Sequence, residues 1–297
     1  MIGRVAAGLE RALAAIERFY LGRVSVWRLV ALRLGFGVIM TLQYLDYAAD
    51  MELLFAPDGL LTHVRGASTF VAEHWQAWWI MTLVGAVAYT AGLLTRVAGL
   101  ACVIGHIGFH GQGGWFTWGD GVIGHAMLLT TLVGDPGARL SIDAWLRRRL
   151  RGRAPPDEVS ILPIRLIQAQ IVAVYVAAGL HRIDSEGWWR GRMTFVALAN
   201  DRFTRFPYLE IHRVKGLLWL GTWYTWLLEL FAPIFLWIPR LGALWAVGLI
   251  LMHAGLFATS TIGWWQPYMI VAISCYLPLA WVERPLAWIE ARLSGRR

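Results

Sequence analysis

Eight apolar stretches divide this chain, at roughly 27–45, 78–94, 97–110, 120–134, 162–180, 217–238, 241–258 and 265–282. A helix needs about 20 apolar residues to cross a bilayer. In hydrocarbon every backbone N–H and C=O must be satisfied within the protein, so such runs fold as helices. The spacing therefore predicts an all-α fold, a polytopic membrane helix bundle of about eight transmembrane helices. The third and fourth runs are short. The glycine-rich turn between them, His110 to Trp115, is expected to dip below the membrane surface, which irregular backbone tolerates only inside protein or a water-filled cavity.

Composition agrees with a membrane protein. Charged residues make up 15% of the chain, against about 25% for a soluble domain. Eighteen tryptophans fit indole's preference for the two membrane interfaces. The formal charge of +8 comes almost wholly from arginine, because Lys215 is the sole lysine. In a chain of this kind a basic excess orients the helices, so nucleic acid is not an expected partner and the lipid bilayer is. Cys102 and Cys275 lie in apolar runs and read as small buried hydrophobes; no disulfide framework or CxxC site is present.

The N-terminus lacks the unbroken apolar core of a signal peptide. Instead Ile2, Val5, Leu9, Leu13, Ile16 and Tyr20 recur at helical spacing beside Arg4, Arg11 and Arg18. Residues 1–24 are therefore expected to form an amphipathic helix on the cytoplasmic face of the membrane. The transmembrane domain is expected over 25–282, with a basic cytoplasmic tail over 283–297. Arginines at 4–23, 96, 139–153, 240 and 292–297 fall on one side if both termini are cytoplasmic. The acidic 46–73 segment and the mixed-charge 181–216 segment then face outward. A multi-pass protein of the cell inner membrane follows.

Ionisable groups at membrane depth are costly, so they mark candidate sites or interhelical contacts. Arg33, near a cytoplasmic helix end, is expected to snorkel. Arg165 and Gln168 share a helix face, and Glu229 is the one carboxylate well inside a span, so a pair between Glu229 and Arg165 or Arg33 is expected. His106 and His110 stand at i,i+4, and with His125 and His253 they offer a haem or metal site as one alternative. No HExxH motif or cysteine ligand supports it. The densest cluster follows the fifth run: His181, Arg182 and Asp184 precede Trp188 and Trp189. There Asp184 can pair with Arg182 while His181 relays protons.

Several motifs in order resemble the HTTM domain, the membrane domain of vitamin K-dependent gamma-carboxylases and of many bacterial proteins. They are Arg33-Leu34-Gly35, Trp118, Leu140-Ser141-Ile142-Asp143, Arg165 to Gln168, Tyr175 to Gly179, Trp188 to Gly191, Glu229 to Pro233, and His253-Ala254-Gly255 with Trp264 to Met269. The resemblance covers roughly 25–282. It implies a reduced naphthoquinone of the vitamin K type as cofactor, and chemistry begun by a deprotonated lysine. The carboxylase motif Val-Lys-Lys-Leu-Asp reads here Leu180-His181-Arg182-Ile183-Asp184, so the lysine falls on Arg182. Arginine stays protonated and cannot be that base. The Asn-Asn-His after the carboxylase tryptophan reads Gly119-Asp120-Gly121, and the carboxylase's large lumenal portion has no counterpart. Gamma-carboxylation is therefore not expected.

Two main expectations result. One is a membrane enzyme acting at the outer face on or with a lipid-soluble quinol or a secreted peptide. Its candidate catalytic residues are His181, Arg182 and Asp184. Arg165, Gln168 and Trp188, with Asp120, His125, Glu229 and His253, would line its cavity. The other is a non-catalytic accessory, export or immunity-type membrane protein with a secreted peptide or protein partner.

Overall fold

The helices lie where the apolar runs are. The computed structural model describes residues 2–61, 68–110, 118–206 and 210–293, with 2–6, 110 and 118–125 described as backbone only. The glycine-rich turn after His110 thus lies outside the described residues. Helices α1 (Ile2–Leu21), α2 (Trp27–Asp46), α3 (Trp75–Ala91), α4 (Thr95–His110) and α5 (Trp118–Val133) are followed by α6 (Ile142–Arg151) and α7 (Leu162–Ile183). Then come α8 (Lys215–Phe235), α9 (Leu241–Thr259), α10 (Trp265–Ile273) and α11 (Leu279–Leu293), with shorter helical turns between. The one sheet among the described residues pairs β1 (Arg23–Ser25) antiparallel with β2 (Glu158–Ser160). The fold is all-helical in class.

Among the described residues, three helices are long and apolar enough to cross a membrane: Trp27–Ala49, Leu162–Ile183 and Leu241–Thr259. Trp265–Tyr276 and Leu279–Leu293 pass the same test only when taken together. The remaining expected spans do not pass this test among the described residues. Helices α3, α4 and α5 have 17, 16 and 16 residues, about 24–26 Å of rise, less than a hydrocarbon core of about 30 Å. Helix α8 has 21 residues but carries Lys215 and Glu229 among its tryptophans.

The chain divides into two compact units. The first comprises Met1–Phe116, Gly124–Ile167 and Leu279–Arg297. In it α3 packs on α2 and α4, and small residues set the approach: a Cβ on Gly85 would lie 3.2 Å from the Ala98 carbonyl oxygen, and one on Gly105 would overlap Thr82. This is the small-residue packing that helices use where lipid supplies no hydrophobic drive between them.

Arg33 does not snorkel. It is fully buried, and its guanidinium donates to the carbonyls of Pro136 at 3.0 Å, Arg139 at 3.2 Å and Leu140. Those carbonyls belong to the turn between α5 and α6, and they give the charge partners inside the protein that water would otherwise supply. The turn is organised further by the Leu140–Asp143 motif. Ser141 caps α6 by accepting from the Ala144 N–H at 2.9 Å. Asp143 accepts from the N–H groups of Leu94 and Thr95 at 2.9 and 2.8 Å and from the Thr95 hydroxyl at 2.7 Å. It satisfies donors that the start of α4 cannot satisfy itself. The motif joins two helix ends.

Arginine also ties the edges of this unit. Arg139 pairs with Glu290 of α11 at 2.9 Å and Asp157 at 2.7 Å. Burial opposes its charge, but hydrogen bonds to Asp157 and Glu290 outweigh that cost and hold it above its ordinary range. Arg165 donates to the Phe19 carbonyl at 3.1 Å and lies 3.9 Å from the Phe19 ring centroid, so it anchors α1. Along α1, Leu9, Leu13, Ile16 and Tyr20 are exposed together, the apolar face expected of a surface helix.

In the second unit, Thr117–Ile123 and Gln168–Pro278, α8 packs on α9. The Tyr224 hydroxyl donates to the Gly248 carbonyl and the Trp245 indole to the Leu228 carbonyl, both at 2.8 Å. On the other side of α8, the backbone of Leu230 approaches Gly179 of α7, where a Cβ would lie 3.1 Å from the Leu230 Cα.

Arg33→Met should leave three carbonyls, all at least partly buried, without their donor, a loss of about 3 kcal/mol, read as a lower unfolding temperature of the detergent-solubilised protein. Arg33→Lys, with a single ammonium that cannot fork, should fall between the two. Asp143→Ala should cost about 1–2 kcal/mol as a lost cap, with amide exchange rising first at Leu94 and Thr95.

Candidate functional site

The polar groups of the second unit converge on α7, α8 and α9. On α7, Tyr175, Gly179 and Arg182 fall at spacings of four and three, on one helix face. Tyr175 and Arg182 are therefore two turns apart on that face, and Gly179 between them lets α8 come close. Arg182 forms an ion pair with Glu229. Its guanidinium also lies 4.2 Å from the Trp188 ring centroid. The side chain of Glu229 is only 7% exposed and that of Arg182 is 20% exposed, so the pair is largely out of water.

This arrangement corrects two expectations. Glu229 pairs with neither Arg165 nor Arg33, because each of those is engaged by backbone carbonyls in the first unit. Arg182 does not pair with Asp184 either: the two lie two positions apart at the end of a helix, where side chains diverge. His181 and Asp184 are exposed. Arg182 alone of the three candidate catalytic residues enters the buried network.

Pro233 adds to the environment of Glu229. It lies within α8 and, lacking an N–H, gives no helical hydrogen bond to the Glu229 carbonyl. The Glu229–Pro233 motif thus places a carboxylate one turn before a gap in the backbone ladder.

A second chain of groups links α7, α9 and α10. The Tyr175 hydroxyl is 2.9 Å from His253 Nε2, and His253 Nδ1 is hydrogen-bonded to Gln266 Oε1. All three residues are buried. An amide oxygen can only accept, so His253 carries its proton on Nδ1 and its Nε2 accepts from the Tyr175 O–H. Both ring nitrogens are engaged, and His253 has no lone pair free for a metal. His106 sits in the first unit with Nδ1 3.3 Å from the Tyr44 hydroxyl. No group of three metal-ligating side chains occurs among the described residues. The side chains of His110, Asp120 and His125 lie outside them.

Gln168 is buried but belongs elsewhere on α7. Its side-chain amide donates to the Cys275 carbonyl at 3.4 Å, and its main-chain carbonyl accepts from the Tyr276 hydroxyl at 3.0 Å. About 21 Å of helix separates it from Arg182. The expected cavity-lining set is therefore divided: Arg182, Trp188 and Glu229 meet, while Gln168 and Arg165 do not join them.

Beside the ion pair stands an aromatic cluster. Trp189 lies 4.5 Å from Trp226 between ring centroids, and Trp223 lies 5.2 Å from Trp226. Trp226 and Glu229 share a face of α8 at i,i+3. Gly191, at φ 67°, has no room for a Cβ against the Trp219 indole, which explains the glycine closing Trp188 to Gly191. The Trp189 indole donates to the Ile183 carbonyl at 2.6 Å. The indole N–H groups of Trp223 and Trp226 are buried and have no acceptor among the described residues. Tyr175, Gln266 and these two α8 tryptophans were not singled out as site residues in the sequence. The only signal was the place of Tyr175 and Gln266 inside recognised motifs.

No family model, curated protein or solved structure matches the chain.

Removing one member of the ion pair leaves the other as an uncompensated buried charge. Arg182→Met and Glu229→Leu should each cost about 3–5 kcal/mol, and the double variant should recover most of that loss. Thermal unfolding of the four proteins in one detergent measures the cycle, and additive losses would show that the two groups do not interact.

Proposed function

We propose that this chain is a multi-pass inner-membrane protein of the HTTM type, with about eight spans and both termini cytoplasmic, that binds the headgroup of a lipid-soluble quinone or quinol. The observation that carries the reading is the pair of buried indole N–H groups on Trp223 and Trp226 that have no acceptor among the described residues, in an aromatic cluster beside the Arg182–Glu229 pair. A buried donor without an acceptor costs free energy. A naphthoquinone is flat, aromatic and carries carbonyl oxygens, so it supplies both an acceptor and a ring face to pack on indole. Trp189 and Trp219 are about half exposed, at 53% and 48%, which leaves the cluster open to a ligand arriving through lipid.

The neighbouring residues suit a quinol. Tyr175 can receive a proton at its oxygen while passing its own to His253 Nε2, with Gln266 accepting from Nδ1–H and steadying the resulting imidazolium. Arg182 serves as a fixed cation near the ligand, since its guanidinium does not act as a base. Gamma-carboxylation is not part of the proposal.

The test is mass spectrometry of lipids extracted from purified protein, with tryptophan quenching by added naphthoquinone. Wild-type protein should carry quinone and be quenched. Trp226→Phe, which keeps an aromatic ring but loses the donor, should weaken binding about tenfold, the value of one hydrogen bond. Trp288→Phe, at an exposed position on α11, should bind as wild type. Protein free of quinone, with equal quenching in all three, would sink the reading.

The non-catalytic reading, with a secreted peptide as partner, is favoured by a different observation: Arg182 is occupied by Glu229, while His181 and Asp184 are exposed at the end of α7. Crosslinking from Asp184→Cys in intact cells to a small secreted peptide, in protein free of quinone, would decide for it.

A further inference from the structure

The first unit contains a cavity of about 530 Å³ that no residue of the candidate site borders. Leu34 of α2, Ala91 at the end of α3, Ile142 and Trp145 of α6, and Ile289 and Leu293 of α11 form its apolar walls. Its size lies within the usual range for ligand sites. Two charged side chains border it, Arg148 and Glu290. Glu290 is already engaged by Arg139. Arg148 is exposed, and its guanidinium has no hydrogen-bond or ion-pair partner among the described residues.

The surroundings narrow the occupant. Helix α6 carries Arg147, Arg148, Arg149 and Arg151, and its one acidic residue, Asp143, is spent on the start of α4. Trp145 and Arg148 share a helix face at i,i+3, so an uncommitted guanidinium stands beside an indole at the rim. Trp145 is 58% exposed and Leu293 is 77% exposed. In a protein whose apolar helices enter a bilayer, such side chains place the rim at the level of lipid headgroups.

We propose that this cavity binds an anionic glycerophospholipid, with one acyl chain against the apolar walls and its phosphodiester on Arg148. Basic pockets beside membrane helices take acidic headgroups for the same electrostatic reason. A free phosphate would leave the apolar walls unfilled, and a zwitterionic lipid would bring an ammonium group against the α6 arginines. The site is separate from the aromatic cluster and does not depend on the quinone reading.

Native mass spectrometry of the full chain, purified in mild detergent and offered phosphatidylglycerol or phosphatidylcholine, tests this directly. Wild type should retain one phosphatidylglycerol in preference to phosphatidylcholine, and millimolar inorganic phosphate should not displace it. Arg148→Gln should lower retention about tenfold, as expected for a charge-assisted hydrogen bond. Ala91→Phe, at an exposed rim position, should do so by filling the chain slot. An unchanged unfolding temperature without added lipid would separate these losses from misfolding. Equal retention of both lipids, displacement by inorganic phosphate, or undiminished retention in either variant would overturn the proposal.

Discussion

A guanidinium taken out of water must find its partners within the protein, and two arginines show two solutions. Arg33 is surrounded by neutral carbonyls from the turn between α5 and α6. Arg182 is neutralised by a carboxylate on another helix. The first solution makes a turn depend on a charge. Leu140 has φ 46°, a conformation that costs a residue with a side chain about 1–3 kcal/mol, and its carbonyl is one of those Arg33 holds. From that fixed carbonyl the next three residues reach the caps of α6 and α4. A single buried charge thus sets the geometry of two helix ends. The second solution makes no turn; it leaves a paired charge beside the Trp188 ring.

The helices were legible because hydrocarbon permits only one local structure for a long apolar run, and α2, α7 and α9 follow their runs closely. The partners of polar residues were less so. Sequence distance says nothing about whether Glu229 faces position 33, 165 or 182, since the answer lies in how α7 and α8 pack. The expected pair of Arg182 with Asp184 fails on geometry alone: the two residues are two apart, and such pairs do not face each other on a helix. His253 misled differently. An intramembrane histidine reads equally as a ligand or as a hydrogen-bonding group, and only the meeting of α7, α9 and α10 brings Tyr175 and Gln266 to its two nitrogens.

Motifs that suggest chemistry turn out to divide between scaffold and site. Leu140 to Asp143 and Arg165 act within the first unit as caps and tethers. Glu229 to Pro233, Tyr175 to Gly179 and Trp188 to Gly191 meet in the second. Their polar residues form one constellation, and their glycines permit it: Gly179 admits α8, and Gly191 turns the chain against Trp219. A motif's order along the chain therefore carries less functional meaning than the unit in which it folds.

The identity of residue 182 limits the chemistry more than any other position. A lysine there could lose its proton on burial and become a base, because an ammonium is a compact charge whose pKa responds strongly to desolvation. An arginine at the same place keeps its charge, and burial must then be met by a counter-ion. Glu229 is that counter-ion. The ion pair and the absence of a base at residue 182 are thus one fact seen from two sides. Tyr175 and His253, by contrast, meet in a neutral hydrogen bond that can exchange its proton without breaking the pair that holds α7 to α8.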